Sequence, residues 1–218
     1  ANGTGLNPAA SGPAGAAFER ALVAARVKGD KKKIDGIVAN RDHYWSIAYN
    51  EGIKNIQDGQ QYADADAGTE AREAFGRAIL SLTRAKLLRA GHAQTIRNLA
   101  TAFAMDNDFD RAESVLRNGQ TEAAQDTSVG QLADALRTVR TNKASALLAG
   151  GKFDEAVAYY TELTTQEAGN PELWMGLGNA YFKRAETRAD AAKKADFKGS
   201  GDAYAKAFQV RSDDANLV

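Results

Sequence analysis

Several short constellations in this 218-residue chain carry residue types and spacings that could do chemistry. Asp106-Asn107-Asp108-Phe109-Asp110 has the D-x-D-x-D opening of a calcium loop, in which alternate carboxylates converge on one hard cation. Such a loop next needs Gly, then a carboxylate at the twelfth place, and Arg111 and Arg117 stand there instead. A solvated turn between helices is expected. Asp64-x-Asp66-x-Gly68 with Glu70 could hold an oxygen-preferring cation, and reads equally as a polar loop entering a helix. Gly150-Gly151-Lys152 ends like a phosphate loop, but Phe153 replaces the Ser or Thr and no Gly lies five residues before Gly151. Gly176-x-Gly178 follows no strand pattern, so it is no dinucleotide motif. His43 and His92 each lie near an expected helix start without a His, Asp or Glu four residues on, which suits a structural role. Lys31-Lys32-Lys33 reads as a solvated linker. No catalytic residue, metal site or cofactor site is assembled from these pieces.

Composition narrows the classes further. Twenty-eight Lys and Arg balance 28 Asp and Glu, so no general electrostatic hold on nucleic acid or an anionic membrane is expected. The chain is 44% hydrophobic and 26% charged, an ordinary folded composition, and no apolar run approaches the roughly 18 residues that cross a bilayer. Cysteine is absent, which removes disulfides, thiolate nucleophiles and Cys-bound metal together. Three prolines, placed outside the helix interiors expected here, leave long helices permitted.

A repeat positions the remaining residues. Phe75-x-x-Ala78-x-x-x-Leu82 returns as Phe109-x-x-Ala112-x-x-x-Leu116, as Phe153-x-x-Ala156-x-x-x-Tyr160 and as Phe197-x-x-Ser200-x-x-x-Tyr204, at steps of 34, 44 and 44. Offsets of three and seven share one helix face. The small residue admits a neighbouring backbone, while the Phe and the Leu or Tyr bracket the contact.

A second helix precedes each of these. Asn170 can cap the clearest one, Pro171 suits its first position and Glu172 complements the dipole. Within it, Trp174-x-x-Leu177-Gly178-x-x-Tyr181 fills every place of the W-x2-L-G-x2-Y signature. Together with the Ala-x3-Leu/Tyr second helices, the chain resembles the tetratricopeptide repeat family. Ile96-x-x-Leu99-Ala100-x-x-Phe103 fills the same first-helix places one repeat earlier.

The resemblance implies an all-α fold, an α-solenoid of about four antiparallel helix pairs over residues 40–211. Residues 1–12 read as an extended Gly/Ala/Pro-rich tail, 13–39 as an N-terminal helix and linker, and 212–218 as a C-terminal tail. The N-terminal helix should turn Phe18, Leu22, Val23 and Val27 inward. A polar connection is expected over Asp58–Gly68, a capping box at Ser128-Val129-Gly130-Gln131, and a lengthened first helix in the last pair through Glu186–Ala195.

In that family the first helices line a groove, and the places pointing into it correspond here to Arg97, Thr101, Ser145, Met175, Asn179, Phe182 and Lys183. The partner class implied is protein, either other copies of the chain or a peptide segment of another protein. The open ends of a solenoid expose apolar helix faces unless they are capped. A self-associating structural subunit, a head-to-tail oligomer or filament, is therefore the first expectation, a peptide-binding adaptor or scaffold using the groove the second, and an enzyme the least supported. Ala1 in place of Met, the absence of Cys and the sequon at Asn2, a candidate glycosylation site, suggest a mature extracytoplasmic chain, periplasmic, cell-surface or secreted.

Overall fold

Local chemistry sets the helix starts. Asp30 accepts a hydrogen bond from the Lys33 amide at 3.0 Å, Asp108 from the Arg111 amide at 3.0 Å and Asn170 from the Glu172 amide at 3.1 Å, with Pro171 opening the helix behind Asn170. The computed structural model describes the backbone of residues 8–215 and the side chains of residues 15–212. Among the described residues there are nine helices and no strand. They are α1 (Pro8–Val27), α2 (Lys31–Asp64), α3 (Gly68–Leu88), α4 (Ala93–Met105), α5 (Phe109–Glu122), α6 (Gly130–Ala149), α7 (Phe153–Gln166), α8 (Pro171–Glu186) and α9 (Asp190–Ala215). The protein is all-α.

Two compact units divide the chain, the first through Val139 and the second from Arg140. In unit 1, Gly52 meets Leu82 and Gly59 meets Phe75, so α2 and α3 run antiparallel at close approach. A Cβ on Gly59 would lie 2.5 Å from the Phe75 ring, which is why no larger residue fits there. Further along, α3 packs on α4 and α4 on α5, closing a core that includes Leu82, Ile96, Leu99, Phe103, Leu116 and Leu132. Helix α1 lies on α2 and α3, with Leu22 and Ala25 buried. In unit 2, α7 packs on α8 and α8 on α9 around Ala144, Val157, Tyr160, Leu163, Leu173 and Leu177.

The small places of the repeat behave as their size requires. Ala78, Ala112 and Ala156 are fully buried, and Ser200 is buried with its hydroxyl donating to the Gly178 carbonyl at 2.9 Å. The large places diverge. Phe75, Leu82, Leu116 and Tyr160 are buried, whereas Phe109 and Phe153 are half-buried, and Phe197 and Tyr204 are exposed. In the first-helix signature Leu177 and Gly178 are buried, and Trp174 and Tyr181 half-buried.

Several expected boundaries move. Helix α1 begins at Pro8 and carries Pro13 within it, so residues 8–12 are helical and only residues 1–7 of the expected tail lie outside the described residues. Lys31–Lys33 forms the first turn of α2 instead of a linker, because Asp30 caps it. The polar stretch after Asp58 stays helical to Asp64, leaving residues 65–67 as the connection. Gln, Ala and Tyr there cost a helix little. Helix α8 stops at Glu186, and the extra residues lengthen α9 instead. That helix also continues through residue 212 to Ala215, into the expected C-terminal tail. Val23 and Val27 point outward, since Leu22 and Ala25 are the residues that α1 turns inward.

Replacing Phe75 by Ala should cost about 3–5 kcal/mol, and replacing half-buried Phe153 clearly less. Urea denaturation of both variants checks this; equal costs would show that the two rings are packed alike.

Candidate functional site

Two surfaces gather the polar and aromatic residues, one in each unit. In unit 1 a cleft of about 330 Å³ is lined by Glu19 of α1, Arg41 of α2, Arg89 and His92 before α4, and Asp126 after α5. His92 is the N-cap of α4: its ring accepts from the Thr95 amide at 3.2 Å, and Nδ1 lies 2.9 Å from the Thr95 hydroxyl. Trp45 Nε1 donates to that same hydroxyl oxygen at 3.1 Å. The chain of bonds from indole to hydroxyl to imidazole therefore leaves Nδ1 as an acceptor, which requires neutral His92 with its proton on Nε2. Burial is the main reason that its pKa is lowered, and the Arg89 charge adds to it against the opposing pull of Asp126 and Asp42.

Asp126 accepts from the Ser128 amide at 2.8 Å and the Ala93 amide at 3.1 Å, and these two bonds, in that order, hold its carboxyl below the usual range. Arg41 pairs with Asp42 at 3.0 Å and reaches Glu19 at 3.8 Å, while Arg89 lies 4.5 Å over the Trp45 ring. These groups are engaged with each other. The cleft ties α1, α2, the α3–α4 turn and the segment after α5 into one unit.

In unit 2 the surface is apolar. Phe182 meets Phe197 at 5.6 Å between ring centres, Gly178 meets Tyr204 and Met175 meets Arg211, so α8 and α9 run antiparallel. On their common outer side Met175 and Phe182 of α8 stand with Phe197, Tyr204 and Phe208 of α9, all exposed, Phe208 to 75%. Residues 197, 201, 204 and 208 form one line along α9. The equivalent face of α7 is covered: Tyr160 presses on α8 so closely that a Cβ on Gly176 would lie 2.3 Å from its ring. Tyr204 also rests on α8, where a Cβ on Gly178 would lie 2.9 Å from its ring, yet it stays 38% exposed against 4% for Tyr160.

Ion pairs hold the hairpin under this surface. Arg184 of α8 forks onto buried Asp196 of α9 at 3.0 and 2.7 Å and reaches Asp154 of α7 at 3.0 Å. Arg188 joins the same two carboxylates at 2.5 and 3.4 Å. The Asp196 hydrogen bonds are the main cause of the raised Arg184 pKa. Three helices are thus fixed by a bidentate, partly buried network, the geometry in which ion pairs are strongest.

The residues that sequence placed in a groove divide between the units. Arg97 and Thr101 lie on α4 in unit 1, where Arg97 donates to Gln131 at 3.1 Å and the Thr101 hydroxyl donates back to the Arg97 carbonyl. Ser145 is exposed on α6. Met175, Asn179, Phe182 and Lys183 all lie on exposed positions of α8, and the first three border the apolar surface. Asn179 accepts from the Tyr204 hydroxyl at 2.5 Å and Lys183 pairs with Glu186 at 2.9 Å. Asn2 lies outside the described residues. His43 sits within α2, not at a helix start. The Asp106–Asp110 stretch forms a turn in which Asp108 caps α5. Among the described residues no group of three or more His, Asp or Glu is placed to hold a metal ion, and no helix is long and apolar enough to cross a membrane. Sequence reasoning passed over Phe208, although it continues the Phe197–Tyr204 line by one turn.

No protein-family model matches the chain, and no curated protein matches it. Among solved structures, the crystal structure of MamA protein aligns over 93% of this chain and 94% of its own with 18% identity and a TM-score of 0.40.

Because the folded state lowers the pKa of both His92 and Asp126, it binds fewer protons than the unfolded chain. Their stabilisation is complete above the ordinary His value of 6.5 and is lost as pH falls from there through the native value, with a second loss below 3.8. The melting temperature should fall between pH 7.5 and 5 (on the order of one turn of the His titration), and His92→Asn, which keeps a capping side chain, should flatten that step. An unchanged step in the variant would remove His92 as its source.

Proposed function

We propose that this protein is a non-enzymatic interaction protein of the tetratricopeptide type, working outside the cytoplasm as a structural subunit that binds its own copies. One observation carries the reading. The repeat buries Phe75, Leu82, Leu116 and Tyr160 in α3, α5 and α7 and half-buries Phe109 and Phe153, whereas in α9 both large places, Phe197 and Tyr204, are exposed and line up with exposed Phe208. Contiguous exposed apolar surface of this kind marks an interaction site. The aromatics are also the residue types that dominate binding energy at protein contacts. The ion-pair network beneath fixes α8 and α9 before any partner arrives, which lowers the ordering cost of association. The extracytoplasmic setting rests on the Asn2 sequon. A peptide-binding adaptor would use the same α8 residues, but Asn179 and Lys183, the polar groups suited to hold a peptide, are already engaged by Tyr204 and Glu186.

Light scattering after size exclusion should give a mass above one chain that rises with concentration. The double variant Phe197→Glu with Phe208→Glu should return it to one chain with unchanged helicity. A wild-type protein that stays a monomer at every concentration would contradict self-association, and capture of a defined peptide by that monomer would favour the adaptor.

A further inference from the structure

The turn between α1 and α2 breaks two local rules at once. Five of the eight residues from Arg26 to Lys33 are Lys or Arg and one, Asp30, is acidic, in a chain whose net charge is zero. Three of the cations, Lys31, Lys32 and Lys33, form the first turn of α2, which contains no acidic residue. Cations there oppose the positive end of the helix dipole and weaken the helix they belong to. Neighbours do not neutralise them. Lys31 reaches Asp35 at 3.9 Å with both side chains largely in solvent, a pair of little consequence, and the Asp30 carboxylate accepts from the Lys33 amide as the helix cap. Among the described residues Arg26, Lys28, Lys32 and Lys33 have no carboxylate partner, and the sequence before Glu19 contains no acidic residue to supply one. The second broken rule concerns apolar surface. Val27, between Arg26 and Lys28, is 83% exposed, and Val23, one turn before it, 57%. Leu22 and Ala25 fill the anchoring side of α1, so neither valine has a place in the core. The turn also projects: a Cβ on Gly29 or Gly36 would meet no atom within 4 Å. Breaches of local rules without compensation inside the fold are expected at functional sites.

We propose that the α1–α2 turn is a peripheral anchor that docks on an anionic lipid surface. Headgroup phosphates take the charge of Arg26, Lys28 and Lys31–Lys33, and the acyl boundary takes Val23 and Val27. A nucleic acid would accept the cations but leave both valines in water, and the aromatic side chains on which single strands stack are absent from residues 23–36. Because the chain is neutral as a whole, the attraction is confined to this turn and falls off within a screening length of it. The anchor belongs to unit 1 and uses no residue of the α9 aromatic face, so it does not depend on association between copies.

Vesicle flotation of the full chain tests this, since lipid-free assemblies of the protein stay at the bottom of the gradient. The protein should float with vesicles of phosphatidylcholine mixed with phosphatidylglycerol and not with phosphatidylcholine alone. Raising salt from about 0.1 to 1 M, which shortens screening from about 10 to 3 Å, should release it. Each cation beside an anionic bilayer strengthens binding about fivefold, so Lys31→Gln with Lys32→Gln and Lys33→Gln should weaken it on the order of a hundredfold. Val23→Ser with Val27→Ser should weaken it about tenfold. All five positions are exposed, and circular dichroism should show unchanged helicity in both variants. No flotation with the anionic vesicles, or equal flotation with both kinds, would overturn the proposal. So would a lysine variant that floats as well as wild type. A short oligonucleotide held equally by wild type and the valine variant, with that variant still floating at full strength, would assign the turn to polyanions in general and overturn the lipid anchor.

Discussion

Close approach of helix backbones at a small residue, bracketed by a large one on either side, is the contact on which the rest of this structure depends. Ala78, Ala112 and Ala156 have no exposed surface, and Ser200 at the fourth such place gives its hydroxyl to a carbonyl of the facing helix. A larger side chain at any of these places would push the helices apart, and the rings on both sides would lose their seats. Glycines extend the same logic to the facing helices, where Gly59 receives Phe75 and Gly176 receives Tyr160. Helix pairing here is thus specified by size alternation more than by charge or hydrogen bonding.

The same contact explains where a binding surface arises. Each second helix has two apolar sides, one for its own first helix and one for the next. In α7 both are used. In α9 the first is used, through Ser200 and the Arg184–Asp196 fork, and the second has no cover among the described residues. The surface is therefore ordinary interior chemistry without its cover. The polar cleft of unit 1 is the opposite case. Its charged groups are matched with one another and with backbone amides, and they hold four segments together.

Helix type and the buried small places were legible in sequence because a period of 3.6 leaves a local mark, and Phe-x-x-Ala recurs three times in the repeat with Phe-x-x-Ser as the fourth. Exposure was not legible in the same way. Phe75 and Phe197 occupy the same place in the motif, and only the presence of a covering helix separates a buried ring from a bare one. Helix length was misjudged where polar residues of good propensity continued a helix, as between Asp58 and Asp64, and where a capping Asp started one early, as at Asp30. The Arg184–Asp196 fork joins residues twelve apart on different helices, a distance at which no local pattern speaks. Val23 was assigned inward because valine is apolar, but α1 has apolar residues all round and its anchoring side is chosen by Leu22 and Gly15.

Side-chain oxidation read by mass spectrometry, on protein dilute enough to be monomeric, tests the central claim most directly. Tyr160 and Tyr204 occupy one motif place on two helices and differ in exposure, 4% against 38%. The account predicts that Phe75 and Tyr160 are protected while Tyr204 and Phe208 react quickly. Protection of Tyr204 equal to that of Tyr160 in the isolated chain would contradict it.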